Sequence, residues 1–70
     1  MFIVIEFQKN QEGQVATLVT QHNTLQEAES KFHQVLSYAA VSTLPLHSCM
    51  ILNDKTYVIK AQVYTHEVNE

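Results

Sequence analysis

Hydrophobic residues change period twice along this chain. Phe2-Ile3-Val4-Ile5-Glu6-Phe7-Gln8 and Val15-Ala16-Thr17-Leu18-Val19-Thr20 are short runs rich in β-branched and aromatic residues, the composition of strands. Between them Lys9 to Gln14 forms a turn, where Gly13 can take a positive φ at no steric cost. The period then becomes helical: Leu25, Ala28, Phe32, Val35, Leu36 and Ala39 fall on one stripe, with Gln26, Ser30, Gln34 and Ser37 opposite or flanking it. Thr24-Leu25-Gln26-Glu27 is a capping box that starts this helix. Pro45 biases Leu44 away from helical angles, so the helix is expected to end near Ala40 to Ser42. Alternation returns in Leu46 to Leu52 and Tyr57 to Tyr64, a second hairpin around Asn53-Asp54-Lys55-Thr56. A two-residue loop at Asp54-Lys55 pairs Leu52 with Tyr57, Met50 with Ile59, Ser48 with Ala61 and Leu46 with Val63.

This order predicts a single α+β domain over residues 1–70, ββαββ, with one helix on one face of a four-stranded mixed sheet. Because crossovers between parallel strands are right-handed, few assemblies remain. The preferred strand order is the β-grasp-like 2-1-4-3, with the first and fourth strands parallel at the centre. The alternative makes the second and third strands neighbours.

Under that order Ile3, Ile5, Phe7, Met50, Ile59, Ala61 and Val63 are expected to face the helix, against Phe32 and Leu36. The other face, which a lone antiparallel sheet would keep polar, then carries Phe2, Val4, Cys49, Ile51, Val58 and Tyr64, broken by Glu6, His47, Lys60 and Gln62. A patch of this kind exceeds the few hundred Å² that soluble monomers tolerate. Burying about 300 Å² of it per partner would contribute roughly 7 kcal/mol per copy before association costs. A homodimer with sheets packed face to face follows, its expected interface being Phe2, Val4, Cys49, Ile51, Val58, Lys60 and Tyr64.

Size supports the same expectation. A 70-residue domain is marginal without a disulfide, a metal or oligomerisation, and the single cysteine excludes an intrachain disulfide. Four Lys, no Arg and seven acidic residues give a net charge of −3, and the scattered lysines form no basic face for nucleic acid. Met1 to Phe7 is too short for a signal or membrane segment and contains Glu6, so no membrane association and a cytoplasmic location are expected.

Candidate chemistry is sparse. His22, His33, His47 and His66 show no helical ligand pair and no HxH pattern, so no metal and no cofactor is expected. His33 can pair with Glu29 one turn earlier. Cys49, placed mid-strand opposite Lys60, lacks a thiolate-stabilising neighbour. Glu6 is expected beside Lys60 as an ion pair rather than as a general acid. One Gly cannot build a phosphate loop.

Glu27-Ala28-Glu29-Ser30-Lys31-Phe32-His33, Ala39-Ala40-Val41-Ser42, His47-Ser48 and Val58-Ile59-Lys60 together resemble a group of short uncharacterised proteins encoded in bacterial and phage (prophage) genomes. The resemblance covers most of the chain and implies a compact bacterial or prophage protein, with no substrate. The expected function is therefore non-enzymatic: a homodimeric structural or protein-interaction module, with an unidentified protein partner bound at its edge strands, the second and third, or on the outer helix face at Glu27, Lys31, Gln34 and Tyr38. The competing reading is a small-ligand or metal-binding protein whose dimer interface builds a site around His47, Cys49, Lys60 and Tyr64.

Overall fold

The computed structural model describes residues 1–66. Strands β1 (Phe2–Lys9) and β2 (Val15–His22) form the first hairpin, α1 (Leu25–Ala39) follows, and β3 (Leu46–Asn53) and β4 (Val58–Thr65) form the second. Over the described residues the chain is α+β, with one helix on a single open sheet.

Strand order is β2-β1-β3-β4, every neighbouring pair antiparallel. This corrects the expected 2-1-4-3 order and the mixed sheet. The parallel pair, β2 and β3, is separated by β1, and α1 makes the crossover between them. The reason lies in β3, where His47, Cys49 and Ile51 alternate as buried residues, whereas β4 carries Lys60 and Gln62 on the same side and is exposed over nearly all its length. A strand with charged and amide side chains on the helix side suits an edge; the strand with Cys and Ile there suits the centre.

The helix begins where its sequence dictates, with the Thr24 half of the expected capping box formed and no bond from the Thr24 amide to the Glu27 carboxylate. Thr24 is the N-cap, and its hydroxyl accepts from the Glu27 amide at 3.1 Å, while the Glu27 carboxylate lies favourably in the first turn. Ala28, Phe32, Val35 and Ala39 are buried. At the other end the His66 ring Nε2 donates to the Ala39 carbonyl at 2.9 Å, and the His66 amide donates to the Pro45 carbonyl at 3.0 Å, tying the end of β4 to the end of α1.

Both hairpin loops are built alike. Asn10 and Asn53 each accept, through the side-chain Oδ1, from two amides ahead: Glu12 and Gln14 in one loop, Lys55 and Tyr57 in the other. Each loop closes with a residue at positive φ, Gly13 at 85° and Thr56 at 65°. The second loop thus spans three residues rather than two, and β4 has a register shift opposite Ile51 and Leu52. Leu52 therefore pairs with Val58, Met50 with Ala61, Ser48 with Val63 and Leu46 with Thr65, in place of the partners expected from a two-residue loop. For Met50, Ser48 and Leu46 the displacement is two residues, so each keeps a partner of the same facing.

The two sheet faces are exchanged relative to expectation. Val4, Cys49 and Ile51 lie in the core with Ala28, Phe32 and Val35, and Phe2 and Leu36 pack against them. Four of the seven residues expected at an interface, Phe2, Val4, Cys49 and Ile51, are thus engaged by the chain's own helix. The apolar stripe of α1 is narrow, and its flanks carry Glu29 and Lys31. The face that also holds Glu6, His47 and Lys60 gives Glu29 its ion-pair partner, Lys60, and sets the Lys31 charge near Glu6 without an ion pair among the described residues.

Candidate functional site

Two surfaces result, one on each side of the sheet. On the uncovered side, cross-strand register produces four rows: Val15, Lys9, Leu46 and Thr65; then Thr17, Phe7, Ser48 and Val63; then Val19, Ile5, Met50 and Ala61; then Gln21, Ile3, Leu52 and Val58. The only charge in these rows is Lys9, in an end row. Val15, Val19, Val58 and Val63 are each more than half exposed. Of the residues expected at the interface, Val58 alone belongs to this surface.

On the helix side the sheet presents a polar network that sequence reasoning did not assemble. The Glu6 Oε2 accepts from the His47 ring Nε2 at 2.6 Å and from the Gln8 amide Nε2 at 2.7 Å. His47 is 4% exposed, and its Nδ1 is buried without a partner. Burial is the largest influence on Glu6 and pushes its carboxyl up. The hydrogen bonds from His47 and Gln8, with the charges of His47 and Lys31, outweigh burial and hold the group below the usual carboxylate range.

Cys49 stands directly across from Glu6 on one side and Gln62 on the other, not opposite Lys60. Its thiol is pushed up to about 11, first by burial and then by the Glu6 charge. A protonated thiol is a poor nucleophile and a poor metal ligand at neutral pH. Lys60 pairs with Glu29 of α1 rather than with Glu6, and this pair holds the Glu29 carboxyl low, with the His33 charge adding less. Tyr64 lies opposite His47 and stacks on His66, the ring centroids 6.5 Å apart. His47, Cys49, Lys60 and Tyr64 therefore share the helix side, away from the open face. No group of three His, Cys, Asp or Glu among the described residues is arranged to hold a metal ion.

Because α1 sits mainly over β1 and β3, a cleft of about 270 Å³ remains between the helix and β2. Val4, Leu18, Val35 and, from the edge strand, Val19 form its apolar walls, and Glu6, Thr20 and Lys31 its polar ones. A larger depression, about 650 Å³, lies beside the first hairpin loop and Leu44, but it is a wide bowl lined by the amides of Gln8, Asn10 and Gln14 and by Val15, Ala16 and Leu44, with no charged side chain. The free strand edges belong to β2 and β4, not to β2 and β3.

The sequence carried one signal for the Glu6–His47 pair: Glu6 has the same parity as Val4, and His47 the same parity as Ile51. Joining them required the β1–β3 pairing. No helix of the described residues is long and apolar enough to cross a membrane. No family model, curated protein or solved structure matches this chain.

Proposed function

We propose that this chain is a non-enzymatic module that acts as a homodimer, two copies packing their open sheet faces together. The observation that carries this reading is the open face itself, four rows of mostly apolar side chains with one peripheral charge.

Four strands of eight residues make a surface of about 19 by 26 Å, or roughly 500 Å² per copy. A pair of such surfaces buries about 1,000 Å², the lower bound for a specific interface. The gross hydrophobic gain is about 12 kcal/mol per copy, set against an association cost of about 4 to 15 kcal/mol. A second copy is the favoured occupant because a twofold axis brings the same uncharged centre against itself, and the Lys9 side chains sit in end rows where water can solvate them. The high pKa of Cys49 favours a structural role for that thiol over catalysis.

Native mass spectrometry with a dilution series tests the reading. The expected species has twice the 8.0 kDa mass of the chain and dissociates on dilution. A monomer throughout the concentration range overturns it.

A further inference from the structure

The cleft between α1 and β2 opens on the helix side of the sheet, and neither dimerisation nor folding uses the Glu6 Oε1 or the Lys31 ammonium that line it. We infer that it is a binding site for a small zwitterion with a compact aliphatic side chain, the chemistry of a branched α-amino acid.

Three features define the ligand. The cavity, about 270 Å³, is the right order of size for one small molecule and has apolar walls from Val4, Leu18, Val19 and Val35. Glu6 enters it from the sheet with Oε2 already committed to His47 and Gln8, while among the described residues Oε1 has no donor. These two hydrogen bonds fix the carboxylate in place and leave one oxygen to receive an ammonium group. Lys31 enters from the helix, is only half-buried, and has no carboxylate within ion-pair distance among the described residues.

A negative and a positive group thus face one apolar space without touching each other. A ligand bearing only an amine would satisfy Glu6 and oppose Lys31. One bearing only a carboxylate would do the reverse, and a hydrocarbon would strip water from both charges without compensation. A zwitterion answers both, its amine on Glu6, its carboxylate on Lys31 and its side chain against Leu18 and Val35. The Thr20 hydroxyl, hydrogen-bonded to the His22 ring Nε2 at 3.0 Å, lies at the rim.

Amide NMR titration of the isotope-labelled protein with L-valine and L-leucine tests this, with isobutylamine and isovalerate as single-charge probes. The expected result is a saturable shift of the Leu18, Thr20, Lys31 and Val35 amides by the amino acids, with each single-charge probe at least about tenfold weaker. Glu6→Gln and Lys31→Met should each weaken amino-acid binding by about tenfold or more. Lys31 lies outside the buried core, so Lys31→Met keeps the test valid even where Glu6→Gln loosens the fold. Equal binding of a single-charge probe, shifts confined to other residues, or no saturation overturns the inference. A monomer that binds L-leucine in this way would overturn the dimer and leave the site standing.

Discussion

Val4 and Ile5 are neighbours in β1 with opposite surroundings: Val4 is 1% exposed beneath α1, while Ile5 stands at the middle of the uncovered face between Val19 and Met50. One peptide bond separates the core of the chain from its proposed partner surface.

The pair supplies a test in which stability and association part ways. Val4→Lys places an unpaired charge against Phe32 and Ile51, costs about 3 kcal/mol or more, and should unfold a domain this small. Ile5→Lys should leave a folded chain, seen by circular dichroism, but convert the proposed dimer to monomer in native mass spectrometry. A folded Ile5→Lys dimer would place the contact at the β2 or β4 edge instead.

The loops offer an internal comparison. Gly13 and Thr56 close equivalent turns at positive φ, a conformation that a β-branched residue adopts only under strain. Thr56→Gly should raise stability by about 0.5 to 1 kcal/mol, the relief of strain exceeding the added freedom of the unfolded chain. Gly13→Ala should lower it by about 1 kcal/mol, and by conformation alone, since nothing lies within 4 Å of an added Cβ. Urea midpoints of the two variants, moving in opposite directions, check both statements.

Acid stability should report Glu6. Its folded pKa lies below the unfolded value of 4.5, so the contribution is present above that pH and is lost as pH falls through the folded value. Glu6→Gln keeps an acceptor for His47, costs about 1 kcal/mol at neutral pH, and flattens the decline of stability below pH 4.5. An unchanged acid limb in Glu6→Gln, followed by thermal melts across this range, would remove Glu6 from the account.

Cys49 should behave in the opposite sense. Its folded pKa is about 11 against 9.0 unfolded, so the native state holds the proton longer and stability falls as pH rises from 9.0 towards 11. Cys49→Ala should show a shallower alkaline decline. At neutral pH iodoacetamide should label Cys49 only as fast as the chain opens, with labelling accelerated by urea.

The first hairpin, the helix and its Thr24 cap, and the presence of a second hairpin were legible because each rests on contacts within about twenty residues. Even there, the second register was two residues off for Met50, Ser48 and Leu46. An Asn53 side chain that captures two amides, and a Thr that accepts positive φ, do not announce themselves in a pattern of apolar residues.

What the sequence determined by itself was alternation, and therefore which side chains travel together: Ile3 with Ile5 and Phe7, Val4 with Glu6. It also showed that both sets carry large apolar side chains. Tertiary structure alone decided which set α1 covers, that β3 rather than β4 joins β1, and that Glu6 meets His47 from 41 residues away. The physical reason is that parity along a strand is local and absolute facing is not. The helix can settle on either side, and the choice falls to where its narrow apolar stripe is covered and Glu29 on its flank meets Lys60.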